Sequence, residues 1–114
     1  MDLTTFLSRL ARAPETICFA DTLALIDTLY VFVPCAFKNG TLDNRAGDNP
    51  GACKVLAFAG LHGLSEAQTL ACFGEHDRQV QAAPNGSSHP NIRNFRAYGW
   101  AGVAFAGCPL TPAP

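Results

Sequence analysis

Any chemistry in this chain rests on two polar stretches set far apart. The first holds Lys38, Asn39, Asn44, Asn49 and Lys54, and the second holds His89, Asn91, Arg93 and Asn94. Cationic heads and carboxamides are the groups that hold and orient an anion. If residues 88 to 94 fold back onto residues 44 to 54, Lys54, Arg93 and His89 surround one anion-sized cavity and the asparagine amides orient its occupant. A helix start adds to this, because its first amide groups lack partners and attract carboxylates or phosphates. The apolar run from Cys53 to Leu61 reads as a helix with Lys54 in its first turn. The same residues could instead form a hydrogen-bonded polar core that fixes long loops. Asn44, Asp48 and Asn49 are of the types that bond their own loop backbone. The stretch is not a phosphate-binding P-loop: Gly47, Gly51 and Lys54 do not fit G-x-x-x-x-G-K-[ST], and no hydroxyl follows Lys54 to hold magnesium.

Nucleophilic catalysis needs a thiolate and a base, and Cys53 with His89 is the one pairing to consider. A cysteine near a helix N-terminus can have a lowered pKa, whereas one that opens an apolar helix is buried and inert. No metal site is expected. His62, His76 and His89 are scattered, and a helix would splay the consecutive Glu75, His76 and Asp77 to different faces. Trp100, between two glycines, packs under a loop or offers an aromatic contact to a partner. No cofactor is implied.

Composition narrows the class. A chain of 114 residues, 48% hydrophobic, is one domain with a single core. Charged residues make up 15%, low for a soluble domain, which favours self-association as a homodimer. A net charge of −1 argues against nucleic acid, since affinity for a phosphate backbone needs a basic surface. Five cysteines with no C-x-x-C pair argue for a reducing cytosol over a disulfide framework. There is no apolar run long enough to cross a bilayer and no signal peptide, so no membrane partner is expected.

The elements that must position these residues are short. Leu3, Phe6, Leu7 and Leu10 recur at helical spacing behind a capping Asp2, which gives an amphipathic helix over residues 1–13. Thr16 to Phe19 suits a short strand, and Asp21-Thr22 opens a helix reaching Tyr30. Pro34 stops it. A hairpin over residues 33–44 follows, turning at Asn39-Gly40. After the Cys53–Leu61 helix, Ser65 caps another over Ala67 to Phe73. Residues 74 to 81 are polar and ambiguous, and residues 82 to 90 make a surface loop. Ser88 caps a helix through Asn91, Ile92, Phe95 and Tyr98 that stops at Gly99. Val103 to Phe105 alternates as a strand, and residues 109–114 form a frayed tail. This order predicts a single compact α+β domain over residues 1–114, with about five helices on a small antiparallel sheet.

Several motifs, taken in order, resemble the HopJ family. They are Pro34-x-x-Phe37-x-Asn39-Gly40, Asn44-x-Ala46-Gly47-x-Asn49-x-Gly51-x-Cys53-Lys54, Phe73-Gly74, His89-x-Asn91-Ile92-Arg93-x-Phe95 and Gly99-Trp100-x-Gly102. The resemblance spans roughly residues 16 to 110. It departs from the family pattern at Val33-Pro34-Cys35, where Thr-Pro-Thr is common, and at Glu75-His76-Asp77, where a Tyr-Tyr pair usually follows Phe-Gly. The resemblance implies a type III effector, made in the bacterial cytoplasm and secreted into host cells, with no catalytic residues to transfer. The expected activity is non-enzymatic binding of a host or bacterial protein, or of a small anion, through a polar loop face. The alternatives are a small cytosolic enzyme using Cys53 and His89, and a ligand-free homodimeric scaffold.

Overall fold

The structure is a computed structural model that describes residues 1–114. Its centre is helix α3 (Pro50–Leu61), on which Cys53 and every residue from Val55 to Ala59 are buried. A helix apolar on so many faces has to be surrounded. Helix α1 (Leu3–Arg12) lays Phe6 and Leu10 over it, with the Phe6 and Phe58 rings edge to face at 6.0 Å. Asp2 caps α1 by accepting the Thr5 N–H at 2.8 Å. A 3-10 turn at Pro14–Thr16 then leads to α2 (Phe19–Leu29), so the short strand expected over Thr16 to Phe19 does not form.

Helix α2 starts two residues before Asp21 because the Phe19 N–H has a distant acceptor, Glu75 Oε1 at 2.8 Å. It stops at Leu29, and Tyr30 goes directly into strand β1 (Tyr30–Phe32). Strands β2 (Phe37–Asn39) and β3 (Leu42–Asn44) form a hairpin shorter than the 33–44 span. Pro34 and Cys35 lie outside the ladder, and only Gly40 takes positive φ, at 62°. Gly40 donates its N–H to the Gly102 carbonyl at 2.9 Å, which brings the C-terminal strand alongside.

Helix α4 (Glu66–Cys72) opens on a reciprocal capping box between Ser65 and Gln68. Gly74, at φ 58°, turns the chain into α5 (Glu75–Ala82), which fills the stretch that was ambiguous in sequence. Helix α6 (Pro90–Tyr98) ends at Gly99 as expected, but His89, not Ser88, stands at its N-cap. Strand β4 (Val103–Phe105) pairs antiparallel with β2, giving the order β3-β2-β4.

The tail is not frayed. Strand β5 (Leu110–Pro112) pairs antiparallel with β1, the Val33 N–H donates to the Pro109 carbonyl at 2.8 Å, and Leu110 is 2% exposed. The result is an α+β domain of six α-helices and two small antiparallel sheets around one cluster of 19 buried apolar residues. No helix is long and apolar enough to cross a membrane.

Candidate functional site

The starts of α3 and α6 are built alike. Each has a proline at its first helical position, where the missing N–H costs nothing and the fixed φ suits the helix. The residue before each proline, Asn49 or His89, sits in the left-handed region, at φ 49° and 50°. Non-glycine residues adopt this conformation at a cost of about 1–3 kcal/mol, and a following proline disfavours helical backbone further. These two are the only non-glycine residues of the chain with positive φ.

A carboxamide network holds the two starts together. Asn91, the second residue of α6, accepts at Oδ1 from Asn39 Nδ2 at 3.0 Å and from Asn44 Nδ2 at 3.1 Å. Its own Nδ2 donates to Asn44 Oδ1 at 3.1 Å. Asn39 Nδ2 also donates to the Asn91 carbonyl, and Asn49 Nδ2 donates to Asn44 Oδ1, both at 2.8 Å. Asn39, Asn44 and Asn91 are buried. The asparagines therefore dock the α6 start on the hairpin and on the loop that feeds α3, so the two distant polar stretches do meet.

Between them lies a cavity of about 240 Å³. One side is apolar: Phe19 and Phe73 face it with nearly parallel rings, 6.3 Å apart, beside Ile92. His76 and His89 form the other side, their ring centroids 4.8 Å apart, and the Phe19 ring meets His76 edge-on at 4.7 Å. Asn49 and Pro90 also line it, as do the four residues Gly51, Ala52, Asn91 and Ile92. The N–H groups of these four residues are first-turn donors with no acceptor in their own helices, and none bonds a loop carbonyl. Two positive helix ends thus face one hollow.

The imidazoles differ in their support. His89 Nε2 lies 2.8 Å from Gln79 Oε1, whereas the buried Nδ1 of His76 has no protein partner. Partial burial, then His76 and then Arg93, hold His89 below the ordinary histidine pKa. The Phe19 N–H holds the Glu75 carboxyl below the usual carboxylate range.

The cation set expected around the cavity is elsewhere. Lys54 Nζ pairs with Asp27 Oδ1 at 2.8 Å and lies over the Phe32 ring at 5.0 Å. Helix α3 starts at Pro50, three residues earlier than the apolar run suggests, so Lys54 is beyond the first turn. Arg93 donates to the Ala83 carbonyl at 2.8 Å and to the Ser88 carbonyl, closing the 83–89 loop. Asn94 Oδ1 accepts from Thr41 N and Oγ1, each at 3.0 Å. Trp100 Nε1 donates to the Leu64 carbonyl at 3.1 Å and the ring packs edge-on to Phe95. Lys38 is exposed at the middle of β2.

Cys53 is 2% exposed, and burial, with Cys35 beside it, pushes its thiol up to about 11; it does not line the cavity in which His89 stands. No group of three or more His, Cys, Asp or Glu side chains is placed to hold a metal ion.

His76, Phe19 and Phe73 were not legible as a site. The signal that could have found the cavity is the pair of dipeptides Asn49-Pro50 and His89-Pro90, each opening a helix beside a polar loop. Of the departure at Glu75-His76-Asp77, His76 stands on the cavity wall.

A family model described as HopJ type III effector protein matches residues 3–110. The chain is similar to a crystal structure of the unknown function protein VPA0580. Identity is 45%, with 99% of this chain and 95% of that chain covered and a TM-score of 0.96. No functionally curated protein matches the chain.

Proposed function

Since this chain belongs to the HopJ type III effector family, we propose that it is a non-enzymatic binding domain whose cavity between α2, α3, α5 and α6 receives a small anion. One observation carries this reading: four residues whose backbone N–H groups are unpaired, two from each of two helix starts, line a single hollow. Such donors are fixed by the helices, so an anion gains them without ordering any loop. The asparagine network supports the reading, because it holds both starts in place through side chains that are not themselves needed as ligands.

Phosphate tests it. A ligand that binds only the native state stabilises it in proportion to the logarithm of its concentration over Kd. Phosphate in the millimolar range is expected to raise the melting temperature. Ala52→Glu should remove that response while keeping the fold, since an acidic side chain suits the first turn of a helix yet fills the cavity with like charge. An absent phosphate response in the parent protein, or an equal one in Ala52→Glu, sinks the anion reading.

The family description supports export from the bacterial cytoplasm into a host cell by type III secretion. A translocation reporter fused to residues 1 to 50 tests this separately, with retention in the bacterium counting against export.

A further inference from the structure

We propose that the cavity takes an organic oxyanion together with a proton, the charge being supplied by the His76–His89 pair and the apolar body of the ligand lying on Phe19 and Phe73. This rests on the anion reading of the cavity and goes beyond it in naming both the ligand class and the coupling.

Two imidazoles with centroids 4.8 Å apart cannot both be charged cheaply unless an anion stands with them. Glu75 is a carboxylate within electrostatic reach of His76, but its main partner is the Phe19 N–H. From α5 itself, Glu75 is turned to the Phe19 N–H at 2.8 Å and Arg78 to the Ile17 carbonyl at 3.1 Å. From α6, Arg93 points its guanidinium at the loop carbonyls of Ala83 and Ser88 and adds positive potential. Helices α2 and α3 bring no titratable side chain to the lining, only Phe19, Gly51 and Ala52. His89 meets only the neutral amide of Gln79, and the buried Nδ1 of His76 meets nothing.

His89 therefore resists protonation in the free site, and an oxyanion placed at the two helix starts reverses that. Charging an imidazole then becomes favourable, so a proton enters with the ligand. A dication suits the same position poorly, because both helix ends present positive charge. The parallel phenylalanines and Ile92 give the ligand's apolar part a wall, and a hollow of about 240 Å³ limits it to a small body such as one ring.

The test is calorimetric titration of the 114-residue chain with benzoate and with benzenesulfonate, at pH values from about 5.5 to 8. These probes carry a planar and a tetrahedral head, and neither changes charge in that range. Affinity for at least one should rise roughly tenfold or more toward acid pH, with net proton uptake seen as a dependence on the buffer's ionisation enthalpy. The double variant His76→Gln/His89→Gln should lose this pH dependence. In the parent protein, the ligand should raise the titration midpoint of at least one of the two histidines, which nuclear magnetic resonance reads without any variant. Binding that is flat with pH, or unchanged pH dependence in the double variant, overturns the proton coupling and leaves the anion reading standing. Binding of inorganic phosphate but of neither aromatic probe overturns the organic part. If no anion binds at any pH, both readings fall.

Discussion

Asn91 makes or accepts hydrogen bonds with both Asn39 and Asn44 at the joint between the two polar stretches. Replacing it with leucine strands buried amides of both partners, and each such loss costs about 1–3 kcal/mol. Asn91→Leu is thus expected to lower unfolding free energy by about 2–4 kcal/mol in a denaturant titration. Asn94→Ala, at a partly exposed contact with Thr41, should cost about 1 kcal/mol or less. Equal effects would mean the network is not what joins the segments. At this scale the sequence revealed residue types but not directions. Lysine, arginine and asparagine in two loops suggested a shared anion site, and the asparagines do converge. Lys54 does not, because moving a helix start by three residues turns a side chain by about 300° and advances it about 4.5 Å. Direction around a helix depends on its first residue, the feature least readable from an apolar run.

Helices with caps and a periodic apolar face were readable as elements. Asp2, Ser65 and Gly99 end or begin α1, α4 and α6 as their types suggest. Strand β5 was not, since Leu110-Thr111-Pro112 is too short to show alternation and owes its place to β1. Removing residues 109–114 should therefore cost about 2–4 kcal/mol, from the loss of buried Leu110 and of the acceptor of Val33 N–H. A truncated chain that melts with the parent would return the tail to a frayed state. Gly74 is a second element-level feature; in sequence it stands in the Phe73-Gly74 motif at the head of a polar, ambiguous stretch. A Cβ there would lie 2.5 Å from Phe19 N, on a backbone at φ 58°. Gly74→Ala is expected to destabilise by more than about 2 kcal/mol, by misplacing α5 against the start of α2.

For the whole molecule, acid pH acts through Glu75, whose carboxyl is held below its ordinary value mainly by the Phe19 N–H. Its folded pKa is lower than its unfolded one, so its contribution is present above the unfolded value, near 4.5, and is lost as pH falls through the folded one. His89 has the same sign at higher pH: its depressed pKa makes the free protein lose stability as pH falls through the range just below 6.5. Glu75→Gln should flatten the acid limb of the melting profile, and bound anion should offset the histidine part; an acid limb unchanged in Glu75→Gln argues against the Phe19 contact in solution. A fold class with one core was legible in composition and motif order, and the family match over residues 3–110 agrees with it. The cavity was not, because its donors are backbone amides of Gly51, Ala52, Asn91 and Ile92, which any side chain would bring equally. Adding phosphate to the labelled native protein and following its proton–nitrogen correlation spectrum interrogates those amides directly. Signals of Gly51, Ala52, Asn91 and Ile92 should move together along one binding curve; movement centred instead on Lys54 and Arg93, or none at saturating phosphate, would contradict the two-helix anion site.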